Sequence, residues 1–449
     1  MNHPGKFRWV ICALLFFSVA VNYIDRLVIG ILKKPLSAQL GWSETDYGYI
    51  AAAFSFAYAF GYLFGGRVID KLGVKRGLPL FVLLWSLAAI AHGLVGFIGL
   101  GDEFRLRYPW FSFAEGGFAM MTLVMPMTVA GFVFARIALG LTEGGNFPGA
   151  IKAVAEWFPV KERALATGWF NAGTNVGAIL CPIGVPWMFQ HFGWQATFYV
   201  TGATGFVWVA AWMLIYDAPS KHPKVTPAEL NHILSGQMVE EKTARLPWLS
   251  LLGYRAVWAY ILASMLAAPA WGVYQFFIPD FLDKRFSLSL QATGWWTGVF
   301  FAIAAVGGIA GGWLASRLMG RGWSVNAARK VCLLICALAV VPVFLAPFAP
   351  SVWLAVLVVG IAGSAHQGWT ANLFSVVSDT MPKDTISSVV GFGGFICYFT
   401  GGFVNGITGM ILEKTGSYVY VFAYFSSMYL LSLLGIHLLV PKIGMTQTK

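Results

Sequence analysis

Charged side chains are scarce in this sequence. They make up 11% of the 449 residues, whereas apolar side chains make up 58%. Soluble proteins carry about 25% charged residues, so this chain has too little polar surface to be stable in water. Its apolar segments are continuous rather than alternating, which favours spanning helices over a membrane β-barrel. The composition therefore predicts an all-α integral membrane protein.

Cysteine is also rare, and the patterns that mark enzymes are missing. The five cysteines lie in apolar surroundings, and Cys332 and Cys336 stand one helical turn apart, which is not a zinc or redox spacing. No glycine-rich nucleotide loop ends in Lys-Ser/Thr, and no nucleophile–histidine arrangement stands out. We therefore expect no metal, no cofactor, no ATP-driven pumping and no enzymatic activity.

Acidic residues are outnumbered by basic ones, 19 against 30, which gives a net charge of +11. The basic residues fall in short gaps between apolar segments, so the positive-inside rule explains them and no nucleic-acid partner is expected. They cluster after the second, fourth and eighth apolar segments. This pattern predicts that these gaps and both termini face the cytoplasm, in an inner (plasma) membrane.

The apolar segments predict about twelve spanning helices. Their approximate bounds are 9–32, 46–66, 78–100, 129–151, 164–189, 194–216, 256–282, 291–316, 328–348, 352–377, 386–412 and 418–440. A proline-containing polar stretch, 217–255, divides the chain into a six-helix bundle (1–216), a cytoplasmic linker, and a second six-helix bundle with a short tail (256–449). Residues 101–127 form an external insertion, either a loop or hairpin that covers the entrance or a neutral addition.

The first predicted span carries a polar stripe in its apolar sequence. Asn22, Tyr23, Asp25 and Arg26 share one flank of a helix by their i, i+3 and i+4 spacing. An acid and a base within a membrane are costly, so they normally face a protein interior or a wet cavity. The stripe is either an Asp–Arg pair that holds helices together or a surface that handles a ligand and protons.

The fourth predicted span holds a second pair of opposite charges. Arg136 and Glu143 are seven residues apart and return to the same helix face. The neighbouring Gly140, Gly144 and Gly145 indicate close helix packing, which by itself needs no charge. The buried Arg and Glu therefore favour a functional role beside the packing role.

Uncharged polar residues in other spans are candidates for contacts with the hydroxyl groups of a ligand. Each of them, taken alone, is equally typical of an interhelical hydrogen bond. They are Tyr58, Asn171, Thr174, Asn175, Trp271, Tyr274, Gln275, His366, Gln367 and Asn372.

The gap after the second span resembles the loop signature of the major facilitator superfamily. Its residues in this sequence are Gly66, Arg67, Asp70, Lys71, Gly73 and Arg76, and a related motif without the acid follows the eighth span at 312–321. Glycine permits a tight turn and Asp70 can cap a helix, so this loop is expected to latch a gate. The similarity between the motifs in the two gaps indicates that the two halves of the chain are pseudo-symmetric.

Three further stretches resemble the anion:cation symporter family within that superfamily, and most of all its hexuronate transporters. They are 22–26, 136–149 with its continuation to Arg163, and 364–374. The resemblance implies the major facilitator fold, in which two halves rock around a site near the membrane midplane. It also implies that Arg26 and Arg136 bind the substrate carboxylate, while Asp25 and Glu143 couple transport to protons.

The resemblance thus predicts proton-coupled import of a sugar-acid anion such as glucuronate or galacturonate. Its partners would be the anion, protons and membrane lipid, and the protein would be monomeric. Another organic anion, namely an aldonate, dicarboxylate or aromatic acid, is the alternative, as are sodium coupling and a receptor that does not transport. Aldonate transporters of the family tend to carry Gln at the position of Thr174, which favours hexuronates here.

Overall fold

A computed structural model describes residues 6–99, 101–112, 117–235, 251–381 and 386–443. Within these ranges the chain is almost entirely helical. The helices are α1 Phe7–Ile31, α2 Lys33–Leu40, α3 Glu44–Leu72, α4 Val74–Leu94, α5 Met127–Glu143, α6 Asn146–Trp157, α7 Val160–Ile215, α8 Pro227–Leu234, α9 Arg255–Ala267, α10 Pro269–Phe286, α11 Leu290–Gly320, α12 Val325–Val340, α13 Val352–Thr380, α14 Ile386–Thr415 and α15 Val419–Leu439. Two 3₁₀ segments, Val95–Phe97 and Val341–Phe348, extend α4 and α12.

The helices account for twelve crossings of a bilayer. Among the described residues, eleven helical segments are long and apolar enough to span one. The segment Ala166–Ile215 has 50 residues, which is about 75 Å of helix against a hydrocarbon core of about 30 Å. Gly193, with φ 80° and ψ 172°, breaks it into two crossings because glycine tolerates this backbone conformation. The predicted number of spans and the fold class are confirmed.

Two predicted spans are each built from two helices. The fourth is α5 followed by α6, with Gly144 and Gly145 between them. The seventh is α9 followed by α10, and Pro269 begins α10 because its ring is compatible with the first helical turn but lacks an N–H for a continuous helix. The backbone N–H groups of Gly144, Gly145 and Ala268 still donate to carbonyl oxygens three or four residues earlier, so each junction keeps most of its helical hydrogen bonds.

Small residues set the helix spacing. A Cβ atom at Gly140 would lie 2.6 Å from the carbonyl oxygen of Phe54, so only glycine lets α5 approach α3 this closely. Between the halves, a Cβ atom at Gly48 of α3 would lie 2.9 Å from the Cα atom of Gly409 on α14. The packing role of the fourth-span glycines is therefore real, and Gly140 lies on the same side of α5 as Arg136 and Glu143 by its i+4 and i−3 spacing.

The polar stretch between the halves contains a docked helix, α8. Thr226 caps its N-terminus by accepting a hydrogen bond from the Glu229 backbone N–H at 3.2 Å. Glu229 in turn accepts hydrogen bonds from the Arg8 backbone N–H at 3.1 Å and from Arg8 Nη1 at 3.5 Å. Since Ile233 is also buried, α8 belongs to the surface of the first helical group. The exact domain boundaries stay a prediction.

Residues 103–126 form an antiparallel hairpin. Strand β1 (Glu103–Ser112) pairs with β2 (Gly117–Pro126), and the tip between them, 113–116, lies outside the described residues. The hairpin lies beside α5, where Phe104 meets Phe134 edge-on with ring centroids 5.9 Å apart. The structure thus gives the insertion the hairpin form, while its role as a cover over an entrance stays a prediction.

Candidate functional site

An ion pair joins α1 to α5 in the centre of the first helical group. Arg26 donates from Nε to Glu143 Oε2 at 3.0 Å and from Nη2 to Asn22 Oδ1 at 3.1 Å, and Nη2 also lies 3.0 Å from Glu143 Oε2. Arg26 is 1% exposed and Glu143 is fully buried. Charges withdrawn from water to this degree are stable only when paired, and Glu143 Oε1 still has no hydrogen-bond partner among the described residues.

Arg136 lies next to this pair with unused donors. Its Nη2 donates to the backbone oxygen of Arg26 at 3.0 Å, while Nε and Nη1 have no hydrogen-bond partner in the described part of the chain. Arg136 is fully buried, with its guanidinium 5.1 Å from the ring centre of Phe54 and 5.5 Å from that of Phe276. A buried guanidinium with two free donors is arranged to receive an anion.

Asp25 is the second buried acid of the cluster. It is 3% exposed, and Glu143 and Arg136 are its charged neighbours. Neither carboxylate oxygen makes a hydrogen bond of ordinary geometry to a described residue, although the hydroxyl group of Thr201 stands nearby. A buried carboxylate without such partners is stabilised by taking up a proton.

Aromatic rings surround the Arg26 guanidinium. Its Cζ atom lies 4.5 Å from the ring centre of Tyr58 and 4.8 Å from that of Tyr23, which is within the range of cation–π attraction. Tyr398 of α14 packs on Tyr58 with centroids 4.4 Å apart. Tyr398 therefore connects the second helical group to the charged cluster.

A second polar group lies on α10, α13 and α15. Trp271 stacks on His366, with centroids 5.3 Å apart and planes 7° apart. His366 Nδ1 is 2.6 Å from the hydroxyl oxygen of Tyr429, and Thr370 lies 3.4 Å from Nε2. The stacking indole and the hydroxyl group fix the ring of His366. Sequence reasoning missed Tyr429 because it is one of four tyrosines in its span and no spacing distinguishes it from the others.

Tyr274 and Gln275 are also buried on α10. The Tyr274 hydroxyl and the Gln275 amide nitrogen have no hydrogen-bond partner among the described residues. Buried polar atoms are usually satisfied, so these two are available to a ligand.

Other predicted residues are not part of either group. Asn372 donates to the backbone oxygens of Gly311 and Gly368, at 3.1 and 3.0 Å, which is an interhelical and intrahelical bonding role. Asn171 is exposed, and Thr174 donates to its own helix at the Asn171 carbonyl. Asn175 and Gln367 are half-buried. The two hydrogen bonds of Asn372 explain its burial without a ligand.

The gate loop joins α3 to α4 through Gly73, whose φ of 73° requires glycine. Gly66, Arg67 and Lys71 lie in the last turns of α3, and Arg76 is exposed in the first turn of α4. The side chain of Asp70 lies outside the described atoms. An ion pair of 2.7 Å between Lys75 and Asp217 connects the loop to the end of α7.

The halves are joined by charged residues where α1 ends and α3 begins. We call this set the Lys33 cluster, and it comprises Lys33, Lys34, Glu44, Asp280, Asp283 and Lys284. Lys33 Nζ lies 2.6 Å from Glu44 Oε2 and 2.7 Å from Asp280 Oδ1. Tyr418 donates to Asp280, and Glu413 accepts from the backbone N–H of Glu44 at 2.7 Å.

Sequence reasoning missed the Lys33 cluster. Lys33 is 2% exposed and Asp280 is 7% exposed, yet both stand at the ends of apolar segments, where charged residues are usually solvated. The available signal was the concentration of charges at 280–285, with Asp280, Asp283, Lys284 and Arg285 within six residues. Only the fold brings this segment to Lys33.

The amino-acid sequence matches a known protein family. Residues 15–406 match the sequence profile of the Major Facilitator Superfamily. The chain belongs to the Major Facilitator Superfamily. It is therefore an integral membrane transporter and not an enzyme.

Named relatives of this superfamily member include carriers of sugar acids. The chain is 28% identical over 414 residues to a hexuronate transporter of Escherichia coli K12, covering 91% of this chain and 88% of that protein. It is 31% identical over 310 residues to a galacturonate transporter of Dickeya chrysanthemi, covering 68% and 81%. The predicted similarity to hexuronate transporters is confirmed.

Solved structures agree on the fold. The inward-open xylose transporter XylE of Escherichia coli matches with a TM-score of 0.71 at 14% identity, covering 98% of this chain and 97% of that one. A D-xylose–proton symporter matches with a TM-score of 0.70 at 15% identity, covering 97% and 99%. At such low identity, the similarity concerns the fold alone.

Proposed function

We propose that this transporter imports a sugar-acid monoanion, with hexuronates first, by proton symport. The observation that carries the proposal is Arg136, which is fully buried beside Arg26 and whose Nε and Nη1 have no hydrogen-bond partner among the described residues. A carboxylate can accept a hydrogen bond from either of these nitrogens, which supplies the charge and the hydrogen bonding that this guanidinium lacks. The relatives named for hexuronate and galacturonate carry substrates with such a carboxylate.

The charge of the cluster favours a monoanion. Asp25 and Glu143 balance Arg26 and Arg136, so the ionised cluster is neutral. Binding one carboxylate leaves a net charge of −1 in a buried site, and one proton on either acid restores neutrality. A dicarboxylate leaves a net charge of −2 and would need a proton on both acids. This count supports symport of one proton with one monoanion.

Glu143 is the acid that connects protons to the substrate. While ionised, it holds Arg26 through two contacts of 3.0 Å. A proton on Glu143 weakens that pair and releases Arg26 to assist Arg136 on the substrate carboxylate. Asp25, whose two carboxylate oxygens have no hydrogen-bond partner among the described residues, is the second proton acceptor. The hydroxyl groups of the sugar would be bound by Trp271, His366, Tyr274 and Gln275 of the second helical group.

The positive-inside rule gives a direction to the Lys33 cluster. It places the gaps after the second, fourth and eighth spans in the cytoplasm of an inner membrane, with both termini. The Lys33 cluster then lies on the outer side, where it closes the seam between the halves. Import would require that these ion pairs open and re-form in each cycle as the halves, 1–216 and 256–449, rock about the linker.

Uptake by proteoliposomes tests the proposal. Purified full-length protein should accumulate labelled glucuronate or galacturonate above equilibrium when the lumen is alkaline relative to the outside. Arg136→Ala should abolish accumulation because no described side chain replaces its two free donors.

Arg107→Ala, an exposed arginine on the hairpin, is the matched control and should transport normally. A folded protein that accumulates aldonates, dicarboxylates or aromatic acids but no hexuronate would overturn the substrate assignment. Accumulation that follows a sodium gradient without a pH gradient would overturn the proton assignment, and specific binding without any uptake would indicate a receptor.

A further inference from the structure

The hairpin β1–β2 has two chemically different faces. Paired residues in an antiparallel sheet share a face, and neighbours along a strand alternate. The register pairs Phe104 with Met125 and Leu106 with Leu123. We define the apolar face as Phe104, Leu106, Met121, Leu123 and Met125, and the mixed face as Arg105, Arg107, Met120, Thr122 and Val124. Every described side chain on the apolar face is thus apolar.

The apolar face begins packed on the protein and then continues without protein cover. At the base, Met125 is 6% exposed, and Phe104 and Leu123 pack against the core. Further along, Leu106 is 46% exposed and Met121 is 47% exposed. A lone two-stranded hairpin is marginally stable in water, and this one exposes a row of apolar side chains. Some apolar surface must therefore cover it.

The position of the base indicates what covers it. Phe104 packs edge-on against Phe134, which is 58% exposed on α5 within a segment long enough to span the membrane. A large apolar side chain exposed at that position faces lipid. The apolar face of the hairpin is therefore continuous with the lipid-facing surface of α5. On the other side of the hairpin, a cleft of about 600 Å³ separates the hairpin base from residues 38–41 at the end of α2.

We propose that the apolar face of the hairpin lies in the interfacial layer of the lipid bilayer beside α5. The mixed face then points to water, with Arg105 and Arg107 among the headgroups or above them. Anionic lipid is not required, because Asp102 and Glu103 balance the two arginines and Arg105 pairs with Glu103 at 2.8 Å. The hairpin would thereby enlarge the area over which the first helical group contacts the membrane.

Adjacent residues on opposite faces give a matched test. Nitroxide labels are placed at Met121→Cys and Thr122→Cys in the full-length protein carrying Cys397→Ser, since the other four native cysteines are buried. Collision rates with oxygen, which concentrates in lipid, and with a water-soluble nickel chelate are measured in phosphatidylcholine vesicles. The ratio of oxygen to nickel collisions should be several-fold higher at residue 121 than at residue 122.

A second pair, Leu106→Cys and Arg107→Cys, should repeat the difference and guards against a local effect of one label. Adding phosphatidylglycerol should leave the ratios unchanged. Equal nickel access on both faces would overturn the proposal and place the hairpin in water. Low access to both reagents at residue 121, with spin–spin broadening between chains, would overturn it in favour of contact with a second copy.

Discussion

At the scale of single residues, the buried charges differ in how completely they are paired. Arg26 and Glu143 form an ion pair in which Glu143 Oε1 alone lacks a partner among the described residues, whereas both oxygens of Asp25 and two nitrogens of Arg136 lack one there. Leaving a buried charged group without its hydrogen bonds costs free energy, so we propose that these atoms serve a partner that is bound only part of the time. That distinction assigns different roles to two arginines that look equivalent in the sequence.

Arg136→Lys should separate charge from geometry. Lysine keeps the positive charge but cannot offer two parallel donors, so the carboxylate loses about 1.5 kcal/mol or more of binding free energy. We expect KM for the transported hexuronate to rise about tenfold or more, as measured by initial uptake rates in proteoliposomes. An unchanged KM would mean that Arg136 does not contact the carboxylate.

Glu143→Gln should separate substrate movement from proton coupling. The amide resembles the protonated acid, so exchange of internal for external substrate should continue while accumulation driven by a pH gradient is lost. Glu103→Gln, at an exposed carboxylate on the hairpin, is the matched control and should keep both activities. Uphill transport by Glu143→Gln would remove Glu143 from the coupling mechanism.

At the scale of elements, the ends of helices carry the contacts between the halves. The Lys33 cluster joins α2, α3 and α10, and Lys33 is its buried centre. Lys33→Met leaves Asp280 buried beside Lys284 alone, and breaking such a pair costs about 3–5 kcal/mol. We expect a clearly lower unfolding temperature in detergent, and faster labelling of thiols introduced along the α1–α10 seam.

Lys34→Met is the matched control for that prediction. Lys34 also makes an ion pair, to Asp283 at 2.7 Å, but its side chain is 59% exposed. Exposed pairs contribute about 0–1 kcal/mol, so this variant should behave like the parent protein. Equal effects of the two substitutions would show that burial does not set the strength of the ion pairs in the Lys33 cluster.

The docking of α8 should respond to pH through Glu162. Burial opposes ionisation of this carboxyl, but hydrogen bonds from Arg8 at 3.0 Å and from His232 at 2.8 Å outweigh it and lower the pKa of Glu162 below 4.5. A lowered folded pKa stabilises docking fully above pH 4.5, and this stabilisation is lost as pH falls through the folded value. A nitroxide at Leu234→Cys should therefore become mobile only in that acidic range.

Glu162→Gln should make the same label mobile at neutral pH, because the neutral amide binds Arg8 and His232 more weakly. Glu103→Gln serves again as the control. A mobility transition near neutral pH in the parent protein would assign the response to a group other than Glu162.

At the scale of the whole molecule, the neutral charge of the central cluster has an electrical consequence. In the proposed symport one monoanion and one proton move together without net charge, so the transport rate should depend on the pH gradient and not on the membrane potential. Proteoliposomes with a potassium diffusion potential at equal pH on both sides should show no accumulation. Accumulation driven by an inside-negative potential alone would mean that more than one cation accompanies each anion.

The amino-acid sequence by itself determined the membrane class, the twelve crossings, and the presence of an acid and a base on each of two spans, Asp25 and Arg26 on the first and Glu143 and Arg136 on the fourth. These follow from hydropathy and from helical spacing, which are local properties of the chain. The break at Gly193 inside one long helix was also readable, because an apolar run of that length exceeds the thickness of a bilayer.

Tertiary structure decided which of these polar groups meet. It paired Arg26 with Glu143 across 117 residues of sequence and left Nε and Nη1 of Arg136 without a hydrogen-bond partner in the described part of the chain. It brought Asp280 to Lys33, turned Asn372 to its neighbouring helices, and laid the hairpin beside α5. The physical reason is that helical periodicity fixes the face on which a side chain lies, whereas its partner depends on the packing of helices distant in sequence.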